Sequence, residues 1–378
     1  MKTTILASTK VGYEMPKKEA ILFSGHEAGI CYMPDDINTL FSEPEEKTLK
    51  RGNGTLNSGH HSVFGHIYYN YAFEEIPKIL AMVLNNEKVY NTSEKSARYT
   101  KMKTSPKEDK LYLKWIDIFK EKIHEKYESI DDKKAKKLAQ ENARYLISVF
   151  TPATTMGYTV DLRQMNYMIS WMNDFVENSE NTEFNNRLKK VFKEFDSTVS
   201  EIKVDNLKDV RRTGFSLFAK RNRKEEWGEN YCTNYKGTFA ELAQAQRHRT
   251  LKYEFSFLEK PEFFVPYIIR GTELEDEWIK DISSLSDEFP QGMLVNINER
   301  GSIEDFVMKC KERLCGYAQL EIALQTKSTM DKYLQNVKGT ELYDYLLPYS
   351  KGARCTFADY KCTSPCMWGA KYALDRLI

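Results

Sequence analysis

The sequence predicts an α+β fold, organised as two units of similar size. A chain of 378 residues is long enough for two hydrophobic cores. Short β-rich runs predict strands at 3–8, 19–23, 67–73 and 251–257. Apolar residues recur at helical spacing over longer stretches, at 111–129, 132–147, 161–177, 183–200, 273–288 and 302–337. A second unit is expected to begin near residue 200.

Charge and hydropathy patterning exclude several classes of partner. Lys plus Arg number 56 and Asp plus Glu 55, a formal charge of +1. A near-neutral chain has no global field for nucleic acid or a membrane surface, so any anion should be bound locally. No run approaches the roughly 20 apolar residues that cross a bilayer, and the amino terminus does not resemble a signal peptide. Together with an odd number of cysteines, seven, this predicts a soluble cytoplasmic protein with free thiols.

The segment Gln244-Ala-Gln-Arg-His-Arg249 is the first candidate site. It ends a predicted helix over 238–250, which would place Arg247 and Arg249 in the last turn, where exposed carbonyls favour cations. Two guanidiniums around an imidazole form a compact group of donors suited to phosphate. A solvated basic helix end is the alternative interpretation of the same residues.

A second candidate lies far upstream, in Asn91 to Tyr99. If this stretch is extended, Glu94, Ser96 and Arg98 share one face, because side chains alternate along a strand. An acceptor, a hydroxyl and a guanidinium on a common face can hold the base edge and phosphate of a nucleotide. An ordinary polar strand face would have the same pattern.

Together these two stretches resemble the signature of the flavin-dependent thymidylate synthases, R-H-R-x-x-S-x-N-E-x-S-x-R-Y. In this chain the pattern occurs twice, each time in part. Asn86-Glu-Lys88 stands where the first copy should have R-H-R, whereas Glu94, Ser96, Arg98 and Tyr99 match its end. In the second copy Arg247-His-Arg249 matches the start, and Lys252 to Phe257 does not supply the rest.

Other landmarks of the family divide in the same way. Gly59-His60 to His66 resembles its histidine loop, with Gly65 replacing a glutamate, and Arg144 matches a further arginine. Asp161 and Arg163 fall on its N-x-R, with Asp replacing Asn. Gln244 and Arg313, the latter followed by Ala318-Gln-Leu-Glu-Ile322, match positions in the second copy. The resemblance therefore implies two tandem units, 1–200 and 201–378, each a small, mostly antiparallel sheet packed with long helices.

The resemblance implies a methyltransferase that converts dUMP to dTMP with methylenetetrahydrofolate, NADPH and FAD. It implies Arg313 and Ser96 as catalytic residues and a homodimer that imitates the family's tetramer. The first unit would supply the substrate-phosphate half-site and the second the Arg-His-Arg flavin half-site. Substrate would contact Glu94, Ser96, Arg98, Arg144, Gln244, Arg247 and Arg313, and flavin would contact His60, Asp161, Arg163, Arg247, His248 and Arg249.

Two alternative functions stay open, and two possible metal sites are considered less favourable. The chain could modify another pyrimidine nucleotide at C5, or could bind flavin or nucleotide without catalysis, since Asp161 and Gly65 depart from the pattern. No metal site is assigned to His60, His61 and His66, because no nearby carboxylate or cysteine completes a ligand set. Packed free thiols are favoured over a zinc or iron–sulfur site for Cys355, Cys362 and Cys366, which would need a fourth ligand from Cys31, Cys232, Cys310 or Cys315.

Overall fold

The computed structural model describes residues 1–9, 17–96 and 100–378. Unit 1 consists of Met1–Lys95 and Pro152–Phe215, and unit 2 consists of Ser96–Thr151 and Ser216–Ile378. These compact units are not the two halves of the sequence, because residues 96–151 belong to unit 2 and the chain re-enters unit 2 at Ser216. The tandem arrangement of 1–200 and 201–378 stays a prediction.

Helices and small antiparallel sheets make up both units, as the α+β prediction requires. The strands are β1 (Lys2–Ser8), β2 (Tyr68–Ile76), β3 (Tyr90–Glu94), β4 (Thr154–Asp161), β5 (Asn230–Thr238), β6 (Lys252–Phe257) and β7 (Leu294–Ser302). The helices are α1 (Lys17–Tyr32), α2 (Ile37–Ser42), α3 (Glu45–Asn57), α4 (Lys78–Asn86), α5 (Pro106–Lys126), α6 (Asp132–Ala143), α7 (Leu162–Asn178), α8 (Glu183–Thr198), α9 (Phe239–Ala245), α10 (Leu274–Ser283), α11 (Ile303–Arg313), α12 (Leu320–Asn336), α13 (Glu341–Leu346) and α14 (Gly369–Tyr372). Within the described ranges, no helix is long and apolar enough to cross a membrane.

Unit 1 contains a four-stranded antiparallel sheet in the order β1-β2-β4-β3. The strand predicted at 19–23 is wrong, because these residues lie in α1. One glycine on each helix allows α1 and α3 to pack closely. A Cβ on Gly25 of α1 would lie 2.3 Å from the carbonyl oxygen of Thr48, and a Cβ on Gly52 of α3 would lie 2.4 Å from that of Ile21. A short apolar run does not by itself separate strand from buried helix, and here helix–helix packing decided the outcome.

Unit 2 contains a three-stranded antiparallel sheet in the order β5-β7-β6. The helix predicted over 302–337 is two helices, α11 and α12, separated by Leu314 to Gln319. Gly316 lies in this break, where a Cβ would come within 2.6 Å of the Cys366 sulfur. The break therefore provides a surface on which the carboxyl-terminal segment packs.

The two sheets share a strand order and a register. The order β2-β4-β3 of unit 1 corresponds to β5-β7-β6 of unit 2. The last residue of β4 pairs with the first residue of β2 (Asp161 with Tyr68), and the last of β7 pairs with the first of β5 (Ser302 with Asn230). Asp161 and Ser302 also cap the helix that follows, α7 and α11 respectively.

Candidate functional site

The Arg-His-Arg segment follows a helix shorter than the sequence predicted. Helix α9 ends at Ala245, so the prediction of a helix through 250, with Arg247 and Arg249 in its last turn, is wrong. The Arg247 amide donates to the Gln244 carbonyl at 3.2 Å, and the His248 amide donates to the Ala245 carbonyl at 2.9 Å. These tight turns bury His248 and leave Arg247 exposed. Tertiary packing of the imidazole thus outweighs the local preference for helix.

Arg313, which the resemblance assigns to the same site as the Arg-His-Arg segment, contacts this segment. Its Nε donates to His248 Nε2 at 2.7 Å, and its Nη2 donates to the Gln244 carbonyl at 3.1 Å. The guanidinium therefore contacts the last turn of α9 and the imidazole beyond it. Both hydrogen bonds fix the position of Arg313.

His248 is a neutral histidine in this arrangement. Burial, and then the nearby cations Arg313, Lys309 and Arg247, lower its pKa well below the ordinary value. Since Nε2 accepts from Arg313, the ring proton belongs on Nδ1, which lies 3.7 Å from Glu312 Oε2. The hydrogen bond from Arg313 therefore selects one tautomer.

The side-chain amide of Gln319 contacts two predicted substrate residues, one from each half of the sequence. Gln319 Oε1 accepts hydrogen bonds from Arg144 Nη2 and from Gln244 Nε2, and its Nε2 donates to the Tyr145 hydroxyl. All four residues belong to unit 2. Arg144 and Gln244, both predicted substrate residues, are therefore neighbours within one chain.

This cluster has polar atoms that a ligand would satisfy. Arg144 Nε and Gln244 Oε1 are both buried and have no hydrogen-bond partner within the part of the chain that the structure describes. Unsatisfied buried polar groups are rare in folded proteins, and each calls for a physical reason. A guanidinium N–H and an amide oxygen would together take a ligand with an anionic or carbonyl oxygen and a nearby N–H.

Glu321 holds the other side of the cluster. The Tyr145 hydroxyl donates to its Oε2 at 2.7 Å, and Thr238 donates to it through Oγ1 at 2.9 Å and through its amide at 3.1 Å. Burial raises the pKa of the Glu321 carboxyl, and hydrogen bonds from Tyr145 and Thr238 oppose that shift. Thr238 caps the start of α9, so Glu321 anchors one end of that helix while Arg313 contacts the other.

Gln319 and Glu321 are the site residues that sequence reasoning missed. Both lie in Ala318-Gln-Leu-Glu-Ile322, a motif that the sequence comparison noticed without giving either side chain a role. The available signal was the alternation of these two polar residues with the apolar Ala318, Leu320 and Ile322. A cavity of about 350 Å³ opens beside them, with Tyr145 and Tyr317 also in its lining.

The second candidate site, Glu94, Ser96 and Arg98, lies only partly within the described residues. Strand β3 ends at Glu94, whose carboxylate pairs with Lys78 at 2.7 Å and accepts from Thr154 Oγ1 at 3.1 Å. Ser96 is half-buried, and its carbonyl accepts from the Thr100 amide at 3.2 Å. Arg98 lies outside the described residues. The common face of Glu94, Ser96 and Arg98 therefore stays a prediction.

The predicted flavin residues of unit 1 have definite local roles. Asp161 is buried, caps α7 and accepts from the Gln164 amide at 2.7 Å. Burial raises the pKa of its carboxyl, against the effect of that hydrogen bond and of Arg163. Because Asp and Asn cap helices about equally well, the departure from the family pattern keeps a working N-cap.

The other departure, Gly65, lies against Arg163. A Cβ on Gly65 would be 3.5 Å from the guanidinium carbon of Arg163. A glutamate at this position would bring its carboxylate within reach of the guanidinium. His60 is exposed, with Nδ1 3.0 Å from the Tyr32 hydroxyl.

The three histidines of the 59–66 loop have separate partners. Both ring nitrogens of His61 are engaged, by the Tyr167 hydroxyl and the Leu56 carbonyl, each at 3.0 Å. His66 lies 3.8 Å from Glu27. Across 1–9, 17–96 and 100–378, no three His, Cys, Asp or Glu side chains are already arranged to hold a metal ion.

Comparison with known families gives a match over residues 15–195, to the model described as thymidylate synthase complementing protein. A search of the curated proteins finds no match to the chain.

Among solved structures, the chain is similar to flavin-dependent thymidylate synthase ThyX from Helicobacter pylori, complexed with FAD and dUMP. In one structure the identity is 16%, with 54% of this chain and 100% of that chain covered and a TM-score of 0.29. In another the corresponding values are 17%, 55%, 99% and 0.31. The UMP/dUMP methylase PolB from Streptomyces cacaoi, bound with 5-Br dUMP, matches at 13% identity over 53% of this chain and 91% of that chain, with a TM-score of 0.36.

Proposed function

Because residues 15–195 match the family model described as thymidylate synthase complementing protein, we propose that the protein methylates dUMP at C5. The methyl group would come from methylenetetrahydrofolate with NADPH as reductant, which makes the protein a flavin-dependent thymidylate synthase. The observation that carries this proposal is the pair of unpartnered buried atoms, Arg144 Nε and Gln244 Oε1, on two side chains that share the Gln319 amide. A pyrimidine nucleotide offers oxygens to the first and the uracil N–H to the second.

Each residue of the cluster has a task in this proposal. Arg144, with Arg98, binds the 5′-phosphate, and Ser96 and backbone donors assist at the same end. Arg313 polarises the uracil carbonyl and stabilises negative charge that develops on the ring. Its hydrogen bonds to His248 and to the Gln244 carbonyl hold the guanidinium in position before substrate arrives, so no reorganisation is needed during the reaction.

The residues available for flavin fit an anionic cofactor. Arg247 is exposed, and Arg163 lies at contact distance from a Cβ placed on Gly65. The resemblance also assigns His60, Asp161, His248 and Arg249 to flavin. FAD, when bound, supplies the hydride transfer, and the protein contributes binding, orientation and electrostatics. A neutral His248 adds no charge to this set, so the arginines supply the positive potential.

We also propose that the two halves are copies of one ancestral module. Thr159 and Arg300 each lie two residues before the helix-capping residues Asp161 and Ser302. Their strand partners, Asn91 and Lys252, are 161 positions apart (91 to 252). Asn86-Glu-Lys88 and Arg247-His-Arg249 are separated by the same 161 positions (86 to 247). Strand register thus supports the placement that the motifs gave independently.

Complementary loss explains why each copy keeps a different part of the signature. After duplication, each copy needs to supply only one side of a shared site, and the other side is free to change. We propose that the protein acts as a homodimer imitating the family's tetramer, in the cytoplasm, without a nucleic-acid or membrane partner.

The experiment is a direct assay of the purified full chain. We expect bound flavin absorbance, and conversion of dUMP to dTMP in the presence of methylenetetrahydrofolate and NADPH, followed by mass spectrometry of the nucleotide. Arg313→Ala should abolish turnover, and the exposed control Arg221→Ala should not change it. A protein that binds neither flavin nor dUMP would overturn the proposal.

A second candidate is a related enzyme that modifies another pyrimidine nucleotide at C5. The observation that favours it is the pairing of Glu94 with Lys78, which occupies a carboxylate that the resemblance assigns to substrate. The same assay with UMP and dCMP separates the two candidates. Flavin binding without NADPH oxidation, for every nucleotide tested, would instead indicate a catalytically silent sensor.

A further inference from the structure

A chain of hydrogen bonds runs from Arg144 to Glu321 through buried side chains of unit 2. Arg144 Nη2 donates to Gln319 Oε1, and Gln319 Nε2 donates to the Tyr145 hydroxyl. That hydroxyl donates in turn to Glu321 Oε2 at 2.7 Å. A guanidinium can only donate, and a carboxylate can only accept. The two ends therefore impose one direction on the chain, and each group between them has a single allowed orientation.

The same direction fixes the side chain of Gln244. Its Nε2 donates to the Gln319 Oε1 that Arg144 also contacts, and to the Ala240 carbonyl at 3.4 Å. An amide oxygen facing Gln319 Oε1 would have no hydrogen to offer, so Gln244 keeps its nitrogen there. Gln244 Oε1 is left buried, without a hydrogen-bond partner among the described residues. It is thus an acceptor available to a ligand.

Glu321 is the acceptor that ends the chain. Besides Tyr145, Thr238 donates to it twice, through Oγ1 at 2.9 Å and through its amide at 3.1 Å. A second buried carboxyl belongs to Glu241, and burial, and then the charge of Glu321, raise the pKa of Glu241 well above its ordinary value. Because the donors around Glu321 favour its ionised form, the shared proton of the two acids belongs on Glu241.

We propose that Glu321 is a positioning residue for the nucleotide cluster and acts through Tyr145 and Gln319. Its carboxylate requires the Tyr145 hydroxyl to donate, so Gln319 turns its nitrogen to Tyr145 and its oxygen to Arg144 and Gln244. The nucleotide then meets Arg144 Nε as a donor and Gln244 Oε1 as an acceptor, both already oriented. Such preorganisation lowers the ordering cost of binding. The inference rests on the proposed function, because it assigns a role at the same nucleotide site.

Glu321→Gln reverses the end of the chain with little change in side-chain size. The Thr238 amide is always a donor, so it retains the oxygen of the new side chain, and the new nitrogen faces Tyr145. Tyr145 must then accept on that side, and its own hydrogen turns towards Gln319 Nε2, which is also a donor. This conflict should disturb the shared acceptor, Gln319 Oε1. We expect dUMP affinity in calorimetric titration to fall about 10-fold or more.

Gln319→Glu supplies the compensating change. When it is combined with Glu321→Gln, the new carboxylate accepts from Tyr145 with one oxygen and from Arg144 with the other, while the new amide donates to Tyr145. The net charge of the wild type is kept. We expect the double variant to recover dUMP affinity lost in Glu321→Gln, and to unfold at a higher urea concentration than either single variant. The exposed Glu259→Gln is the control and should match wild type.

Independent effects of the two changes would overturn the proposal. If Gln319→Glu lowers the urea midpoint equally in wild type and in Glu321→Gln, the two side chains are not linked, and anchoring of Thr238 alone explains the single variant. An unchanged dUMP affinity in Glu321→Gln would also overturn it. The urea measurements need no ligand, so they decide whether the chain exists even for a protein that binds no dUMP. Absence of dUMP binding to the wild type would count against the proposed function.

Discussion

The Arg313 guanidinium donates to the Nε2 of His248 at 2.7 Å, and this bond selects the tautomer of a histidine that burial, and then the nearby cations, keep neutral. An imidazole that accepts at Nε2 and is buried among cations stays neutral. Arg313 is thereby held by a neutral acceptor, and it keeps its full positive charge for a ligand. The pH dependence of stability tests this relationship.

Lowering the pH below about 6.5, the usual pKa of histidine, should destabilise the protein through His248. Its folded-state pKa is depressed, so in this range the unfolded chain binds a proton that the folded chain does not. The free energy of unfolding therefore decreases as the pH is lowered, by up to about 1.4 kcal/mol per pH unit for one such group. It stops decreasing below the pKa of His248 in the folded state. Urea unfolding between pH 5 and 8 would measure the slope.

The matched comparison uses two histidine variants. His248→Gln should remove the histidine contribution to the slope, and His60→Gln, which changes an exposed histidine, should retain it. Equal slopes in wild type and His248→Gln would show that a protonated His248 is tolerated in the folded state.

Gln319→Ala should weaken nucleotide binding although the side chain is not one that the sequence assigned to substrate. The change removes the shared acceptor of Arg144 and Gln244, and a hydrogen bond to a charged group contributes about 1.5–3 kcal/mol. We expect dUMP affinity to fall by about 10-fold to 100-fold. Calorimetric titration measures it, with the exposed Gln335→Ala as control. An affinity equal to wild type would mean that Gln319 does not position the two side chains.

The ion pair between Lys309 and Glu299 should be a major stability determinant of unit 2. Both side chains are fully buried, 2.6 Å apart, and Tyr231 and Tyr235 also donate to the carboxylate. Lys309→Met leaves a buried, uncompensated carboxylate and should cost about 3–5 kcal/mol. Urea unfolding measures the loss. The control Lys332→Met, from a partly exposed pair with Glu225, should cost no more than about 1 kcal/mol.

Recovery in the double variant separates charge from packing. Adding Glu299→Gln to Lys309→Met removes the unpaired charge and should restore part of the lost stability. A double variant less stable than Lys309→Met would contradict an electrostatic origin.

Gly65→Glu should create an ion pair with Arg163. The new side chain starts 3.5 Å from the guanidinium, at ordinary contact distance. We expect a stabilisation of about 0–1 kcal/mol that declines in high salt. Thermal unfolding at two ionic strengths tests this, and Gly65→Gln controls for side-chain volume. A salt-independent effect shared by both variants would show that the carboxylate does not reach Arg163.

The sequence motifs selected candidate residues, and the structure shows which of them are neighbours. Arg313 and His248 were assigned to one site from motifs alone, and the structure joins them by a hydrogen bond. The predicted end of α9 was wrong, because burial of His248 interrupts a helix that local propensity would continue. The shared amide of Gln319 depends on residues 175 and 75 positions away, and no local pattern reports such a contact.

The division of the chain into units was also beyond local reasoning. Residues 96–151 belong to unit 2, although they precede the last segment of unit 1 in the sequence. Contacts that return across an intervening segment leave no periodic signal. For the proposed repeat, by contrast, the strand register is informative, because Asn91 and Lys252 have the same separation as the two stretches that resemble the family signature.

The central claim is that a nucleotide pocket combines residues kept by different copies of one module. A double-mutant cycle on dUMP affinity, with Arg144→Ala and Gln244→Ala, tests it most directly. Each single change should weaken binding, by about 2–5 kcal/mol for the arginine, and the double change should cost clearly less than the sum, because both act on one ligand through Gln319. Strictly additive effects, or dUMP binding that neither change alters, would contradict the account.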